Sequence, residues 1–318
     1  MLNIEHLTKI YGDKRAVDDL SLTIEPGRIY GFLGPNGAGK STTMNILTGY
    51  IGATSGTVTI NGHDIFKEPE AARKCIGYLP EIPPVYEDMT VWEYLLFAAE
   101  LKKVEKSKRI QYVEEAMELT HITEMENRLI RNLSKGYRQR VGLAQAVLSY
   151  PEIIILDEPT VGLDPKQIIE IRDLIRRLGE KHTVILSSHI LSEVKEICDY
   201  IFIISQGKLV ASDTTENLLH QVQGVQKIEL LTDESSDAFL SILYEVPGVA
   251  DVRVTDCEDM TSRILVSAND GLDIRKDVFK KIAGSGLSVL EMHSSGRTLE
   301  DIFLELTENK EEKGEIVL

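Results

Sequence analysis

The chain has 318 residues, room for two domains at about 100–200 residues each. Asp and Glu outnumber Lys and Arg by 51 to 35, for a net charge of −16, and this balance argues against a general nucleic-acid binder, which normally presents a strongly basic face. Cys75, Cys198 and Cys257 have neither disulfide-framework nor zinc-site spacing, so they read as thiols of a reducing cytosol; the N-terminal stretch carries charge throughout, and no apolar run approaches the ~18 residues of a spanning helix, so a soluble protein is expected whose membrane role, if any, runs through a partner.

In chain order, "LNIEHLTKIY" and "AVDDLSLTIE" alternate apolar and polar residues around a polar turn and predict two strands. "IYGFLG" is an apolar strand running into a glycine-rich loop, followed by the helical "STTMNILTG". In "GTVTINGHDI", Asn61-Gly62 sits between alternating runs and predicts a tight hairpin. The pattern is helical from about 90 to 150, and Thr90 with Glu93 forms a capping-box pair at the start of "VWEYLLFAAEL". Strand signals return at "IIILD" and "TVILSS", with the amphipathic "PKQIIEIRDLIRRLG" between them. Strands separated by helices predict a mainly parallel sheet covered on both faces, with the 90–150 block as an insertion. The character changes around 213–224. Beyond it, strand, helix, two strands, helix and strand follow in the order of a ferredoxin-like split βαβ module; a last helix is predicted at "TLEDIFLELTEN", capped by Thr298, and 309–318 reads as a disordered tail.

Three stretches carry chemistry. "GPNGAGKS", Gly34 to Ser41, fits G-x-x-x-x-G-K-[ST] between a strand and a helix. Its glycines let consecutive backbone N–H groups face phosphate oxygens, Lys40 reaches the β- and γ-phosphates, and the Ser41 hydroxyl can ligate Mg²⁺. In "IIILDEPT" an apolar strand delivers Asp157 to the edge where ligands bind in open α/β sheets, suited to a Mg²⁺ contact. Glu158 can orient or deprotonate a water, although an Asp-Glu pair after a strand can also be helix-capping charge. His189 closes the next strand and can reach a γ-phosphate, or serve only the packing. "LSKGYRQRVGLAQ" at 133–145 is a second phosphate-grip pattern, with small residues at a helix N-terminus and positive charge close by.

Taken together, the phosphate loop, "LSKGYRQR", "LDEPT", "GLD" at 162–164 and "SSH" at 187–189 resemble, in order and spacing, the ATP-binding subunit of an ABC transporter over roughly residues 1–215. The resemblance implies an α/β P-loop NTPase fold: a RecA-like parallel sheet with N-terminal antiparallel strands and an inserted helical subdomain, here followed by a small α+β ferredoxin-like domain at 216–308. It implies ATP and Mg²⁺ as ligands, and an ATPase that drives membrane transport. Tyr11 would stack on adenine, and Gly34, Pro35, Asn36, Gly37, Ala38, Gly39, Lys40, Ser41 and Thr42 would hold the phosphates. Ser41, Glu81 and Asp157 would serve the metal, Glu158 would be the catalytic base, and His189 would contact the γ-phosphate. In this family two subunits pack head to tail, so the signature loop (Leu133, Ser134, Lys135, Gly136, Tyr137) would close on the other subunit's ATP and Asp164 would lie at the dimer seam. The chain's two phosphate grips would then serve two nucleotides across a symmetric pair.

The chain departs from the family's usual pattern in two places. Lys135 stands at the first Gly and Tyr137 at the Gln of Leu-Ser-Gly-Gly-Gln, and Glu81 stands where importers place Gln. Both departures resemble the branch that serves exporters with a separately encoded membrane subunit, including drug, polysaccharide and sodium export and gliding motility. The expected partners are a second copy or a homologous ATPase subunit and a permease, with no nucleic acid, and the expected location is the cytoplasmic face of the membrane. The rival readings are a soluble ABC ATPase acting on DNA or ribosomes, which usually has two cassettes or a coiled-coil insertion, and a P-loop kinase or GTPase, which would lack the signature loop.

Overall fold

In the computed structural model the chain divides into two compact units, Met1–Thr215 and Glu216–Leu318. The structure describes residues 1–221, 227–258, 261–269 and 272–295. The predicted helix at 298–309 and the tail lie outside these residues.

The first unit opens with the antiparallel pair β1 (Leu2–Tyr11) and β2 (Lys14–Ile24). β3 (Ile29–Leu33), fully buried, runs into the phosphate loop and α1 (Lys40–Leu47). β4 (Ser55–Ile60) and the short β5 (His63–Asp64) form the predicted hairpin: Asn61 (φ 50) and Gly62 (φ 86) both take the left-handed region that a two-residue type I′ turn requires. β1, β2, β4 and β5 make one four-stranded antiparallel sheet in the order β2-β1-β4-β5. α2 (Pro69–Lys74) and β6 (Ile76–Leu79) follow, then the helical block with α3 (Val91–Leu101), α4 (Arg109–Leu119) and α5 (Lys135–Val147). The capping box at α3 is formed, with Thr90 Oγ1 accepting from Glu93 N at 3.2 Å and Glu93 Oε2 from Thr90 N at 2.8 Å. Such a cap stabilises a helix start by about 1 kcal/mol.

β7 (Ile153–Asp157), α6 (Pro165–Gly179), β8 (Thr183–Ser188), α7 (Leu191–Ile197), β9 (Tyr200–Ser205) and β10 (Lys208–Thr214) complete the second sheet, whose order is β10-β9-β3-β8-β7-β6. All its pairings are parallel except β9–β10, a hairpin turned by Gln206 (φ 50) and Gly207 (φ 79). β3, β7 and β8 are buried along their whole length, as strands covered on both faces must be. α6 buries Ile171, Leu174, Ile175 and Leu178, the i, i+3, i+4, i+7 stripe of an amphipathic helix. One core joins the two sheets: Leu2, Ile4 and Leu20 from the antiparallel side meet Met44 and Leu47 of α1 and Ile153, Ile155, Ile185 and Phe202 of the other sheet. The strands β6, β9 and β10 are additions to the elements named from the sequence.

α8 (Thr215–Gln221) starts on the last residue of the first unit and continues into the second. Next come β11 (Lys227–Thr232), α9 (Ser236–Leu243), β12 (Val249–Glu258), β13 (Thr261–Ala268), α10 (Arg275–Ser285) and β14 (Glu291–Ser295). Their sheet is antiparallel throughout, in the order β12-β13-β11-β14. With β13 placed between β11 and β12, this is the split βαβ arrangement. Ile228, Leu230, Ile264 and Val266 face Phe239 and Leu243 of α9 and Val278 and Ile282 of α10 in its core.

Candidate functional site

The phosphate loop is shaped by close approach. Gly39 has φ 106, and a Cβ there would stand 2.3 Å from the Ala16 carbonyl oxygen, so no other residue fits without moving β2. The loop delivers Lys40 as a buried cation at the first position of α1. Lys40 Nζ donates to the carbonyls of Gly34 (2.7 Å) and Pro35 (3.3 Å) and lies 3.5 Å from Glu158 Oε1. Ala38 N donates to Pro35 O at 3.1 Å, closing the turn.

β7 and β8 bring the acidic residues to the same end. Their parallel register sets Asp157 opposite Ser187. Ser187 Oγ donates to Asp157 Oδ1 at 2.5 Å and accepts from Glu158 N at 3.0 Å, while Ser41 Oγ donates to Asp157 Oδ1 at 3.2 Å. Burial raises the Asp157 carboxyl above its ordinary range, and the two serine hydroxyls act against that rise. Glu158 itself is buried and holds φ 48, a left-handed backbone that a glutamate adopts only when its surroundings enforce it. His189 Nδ1 lies 3.0 Å from Glu158 Oε2.

A cavity of about 430 Å³ gathers Tyr11, Asn36, Gly37, Gly39, Lys40, Ser41, Thr42, Glu81, Glu158 and His189 along its wall. Tyr11 is half exposed at the mouth with Lys9 Nζ 5.0 Å from its ring centroid. Lys14, Ala16 and Val161 line the same cavity and were not singled out from the sequence. Asp157 sits behind the wall, joined to it through Ser41. The hard oxygens of Ser41 and Asp157, side by side, suit Mg²⁺. Among the described residues no three His, Cys, Asp or Glu side chains converge as a metal site.

The signature residues lie elsewhere. Leu133 is buried, and Ser134 is the N-cap of α5, its Oγ accepting from Tyr137 N at 3.4 Å. Tyr137 OH donates to Glu124 Oε1 at 3.2 Å, and the Arg140 guanidinium stands 5.9 Å from its ring. Asp164 caps α6 by accepting from Gln167 N at 2.9 Å. Gly136, Tyr137, Asp164 and Gln167 share a second groove of about 480 Å³, and the Lys135 ammonium rests against Gly162, whose φ is 71. The signature loop and the loop of Asp164 are thus neighbours in one chain, and none of their named residues lines the phosphate-loop cavity.

The model of the ABC transporter family matches residues 17–161. Among curated proteins, the bacitracin transport ATP-binding protein of Bacillus licheniformis is 34% identical over 94% of this chain and 95% of its own length. The chain belongs to the ABC transporter ATP-binding proteins. The linearmycin resistance ATP-binding protein of Bacillus subtilis (strain 168) is 32% identical over 96% of this chain and 98% of its own, so the similarity to these ABC proteins extends through the second unit. The daunorubicin resistance ATP-binding protein of Streptomyces coeruleorubidus is 29% identical over 96% and 95% of the two chains. Among solved structures, the ATP-binding subunit of an ABC transporter superposes with a TM-score of 0.63 at 28% identity, covering 70% of this chain and 92% of that one. A dimeric ATP-binding cassette in a post-hydrolysis state with ADP and Pi superposes at 0.62 and 25% identity, covering 68% and 99%. The chain is therefore an ATP-binding, ATP-hydrolysing subunit of an ABC transporter, from a family whose cassettes dimerise and work with membrane permeases. Among the described residues no helix is long and apolar enough to cross a membrane.

Two further buried polar residues hold the site's side chains in place, and their roles were not read from the sequence, although Ser187 lies within the quoted "SSH". Ser187 is one. Glu193 is the other, accepting from Thr160 Oγ1 at 2.7 Å and Ser188 Oγ at 3.2 Å and so tying the end of the "DEPT" loop to the start of α7. Ser187→Ala removes the partner of the buried Glu158 N–H, and a loss of about 1–3 kcal/mol in unfolding free energy is expected. Denaturant titration of the nucleotide-free protein measures it; an unchanged midpoint would mean that water replaces the hydroxyl.

Proposed function

We propose that this subunit powers an exporter, by closing head to tail with a second ATPase subunit on two ATP molecules. The reading is carried by the single cavity that unites Tyr11, the phosphate loop, Glu81, Glu158 and His189, together with a signature loop that lies outside it. In this reading Tyr11 stacks on adenine, the loop amides and Lys40 take the phosphates, and Lys40 leaves Glu158 when the γ-phosphate arrives. Glu158, held by its strained backbone and by His189, then accepts the proton of the attacking water. His189 steadies the γ-phosphate. Ser41 and Asp157, with Glu81 at the rim, are the residues that would hold Mg²⁺, which supplies neutralisation of phosphate charge. Leu133 to Tyr137 complete the partner subunit's site, and Asp164 lies at the seam.

The names of the relatives concern bacitracin transport and linearmycin and daunorubicin resistance, and on that resemblance export carries over to this chain. The permease is taken to be a separate chain, which holds the subunit on the cytoplasmic face of the membrane. Tyr86 is a candidate anchor for it: 55% exposed, it is edge-on to Phe97 at 5.5 Å and tilted against Tyr94 at 6.3 Å, and Met89 and Trp92 follow it closely in sequence. A cysteine at position 86 or 89 should crosslink to a polytopic membrane protein that co-purifies with the chain. Co-purification with ribosomes or DNA instead would replace the exporter reading by the soluble one.

A further inference from the structure

The carbonyl end of α5 carries two backbone hydrogen bonds of its own, Leu148 N to Ala144 O at 3.2 Å and Tyr150 N to Val147 O at 3.1 Å. Its last turn has no basic residue, and the chain leaves it through Leu148 (φ −51, ψ 137) into Ser149 (φ 72) and Tyr150 (φ 52). Two successive non-glycine residues in the left-handed region form a strained bend, one that persists only where neighbours fix it. That bend is the sole covalent link from α5, which starts at the signature loop, to β7, which ends at Asp157 and Glu158.

Besides the bond from Tyr150 N to Val147 O and the Tyr112 ring edge-on to Tyr150 at 5.0 Å, a lysine at the end of another helix fixes it. Lys102, the residue following α3, donates from Nζ to Ala146 O at 3.1 Å and to Leu148 O at 3.2 Å. An ammonium there also meets the negative end of the α5 dipole. Among the described residues no carboxylate pairs with it. Of the two nearest acids in the adjoining cavity, Glu70 pairs with Lys103 and Glu105 with Lys108, each at 3.4 Å. The other neighbours, Arg73 and Lys74 of α2, add like charge, while Tyr50, Tyr78 and Tyr112 are phenols. Burial without a counter-ion pushes the Lys102 ammonium down to about 8. A half-buried cation without a counter-ion costs stability even with two carbonyls accepting from it, so its place at this bend calls for another reason.

We propose that Lys102 is a positioning residue for ATP hydrolysis: by clamping the carbonyl end of α5 it fixes the bend into β7, and so the signature loop and Glu158 relative to each other within one chain. The inference rests on the roles given above to the signature loop and Glu158.

The test uses the full-length chain with Mg-ATP. Lys102→Met keeps the length and removes the charge, and it leaves the carbonyls of the buried Ala146 and Leu148 without the lysine's hydrogen bonds. Its kcat is expected to fall about ten- to a hundredfold, the scale of a small misplacement remote from the chemistry, with the KM for ATP within about twofold of normal. Because those two buried carbonyls lose a donor, its melting temperature is expected to fall by a few degrees, and kcat is read well below that transition. Lys102→Arg, with a fixed charge and a donor fork, should restore kcat. The proton supplies an independent readout. Between about pH 8 and the ordinary lysine value the unfolded chain holds a proton that the folded chain has released, so the wild type gains stability relative to Lys102→Met as pH rises through that window. Over the same window the clamp loses its charge, and wild-type kcat should decline while that of Lys102→Arg does not. A Lys102→Met enzyme with normal kcat, or one whose loss lies wholly in KM or in melting temperature, overturns the proposal. Glu158→Gln in the same assay keeps the two readings apart: normal turnover there removes Glu158 from its role whatever the Lys102 variants do.

Discussion

Glu158→Gln is expected to bind Mg-ATP as tightly as the wild type and to hydrolyse it about 10²–10⁴-fold more slowly, the usual cost of removing a general base. Glutamine keeps the side chain's volume and one acceptor oxygen, so the cavity's shape should survive. What disappears is the carboxylate that faces Lys40 at 3.5 Å and His189 at 3.0 Å. Those two contacts explain why binding should hold: with no carboxylate to pair with, Lys40 is freed for phosphate. The φ of 48 at Glu158 is held by the hydrogen bonds of its backbone, its N–H to Ser187 Oγ and its carbonyl from Val161 N, neither of which the substitution touches. Single-turnover measurement of phosphate release, paired with nucleotide binding by equilibrium dialysis, separates the two effects. Near-normal release would take the base's role away from Glu158 and leave it as a partner of Lys40.

How much of this was legible in the sequence depended on the range of each signal. The phosphate loop, the Asn61-Gly62 turn, the Thr90–Glu93 box and the α6 stripe are local patterns, fixed by residues within a few positions of one another, and each was read correctly. So was the β-α-β-β-α-β order of the second unit, whose sheet order then follows from the split βαβ rule. Ser187 and Glu193 escaped because their importance comes from register. Nothing in "TVILSS" says that its fifth residue will lie across from Asp157; only the parallel pairing of β7 with β8 does that. Lys102 escaped for the same reason, since its acceptors lie 44 and 46 residues away. β6 has only four residues, one of them Gly77, whose missing Cβ lets the Ala146 carbonyl approach; a glycine in so short a run dilutes any strand signal. The roles at the signature loop were legible only through the family resemblance, since by itself the loop is a helix N-terminus with a serine cap.

That ambiguity is what Gly136→Asp resolves. In the chain alone, Gly136 is the second residue of α5, behind the Ser134 cap, where a carboxylate meets the positive end of the helix dipole and is favoured by about 0.3–1 kcal/mol. If capping were the loop's whole purpose, the substitution would be neutral or stabilising. If instead Ser134 and Gly136 grip the γ-phosphate held by a partner subunit, the same carboxylate is driven against an anion in a closed seam of low dielectric, and the assembled dimer is lost. ATP binding to the monomer should persist in either case, because Gly34 to Ser41 form a separate cavity. One steric effect has to be removed first: a Cβ at position 136 would lie 2.7 Å from the Gln167 carboxamide, the mobile end of a side chain on α6. Making the change in a Gln167→Ala background clears that contact and leaves the Asp164 cap intact, because the cap uses the backbone N–H of residue 167. With Glu158→Gln added to prevent hydrolysis, sedimentation in the presence of Mg-ATP should give a dimer for the background and a monomer once Gly136→Asp is introduced. A dimer in both would leave the loop as a cap for α5 and no more. The monomer is the expected result, because an isolated helix cap gives no reason for Lys135 to rest on Gly162 and Gly136 on Gln167 of α6, whereas two segments that meet the same partner must be held together.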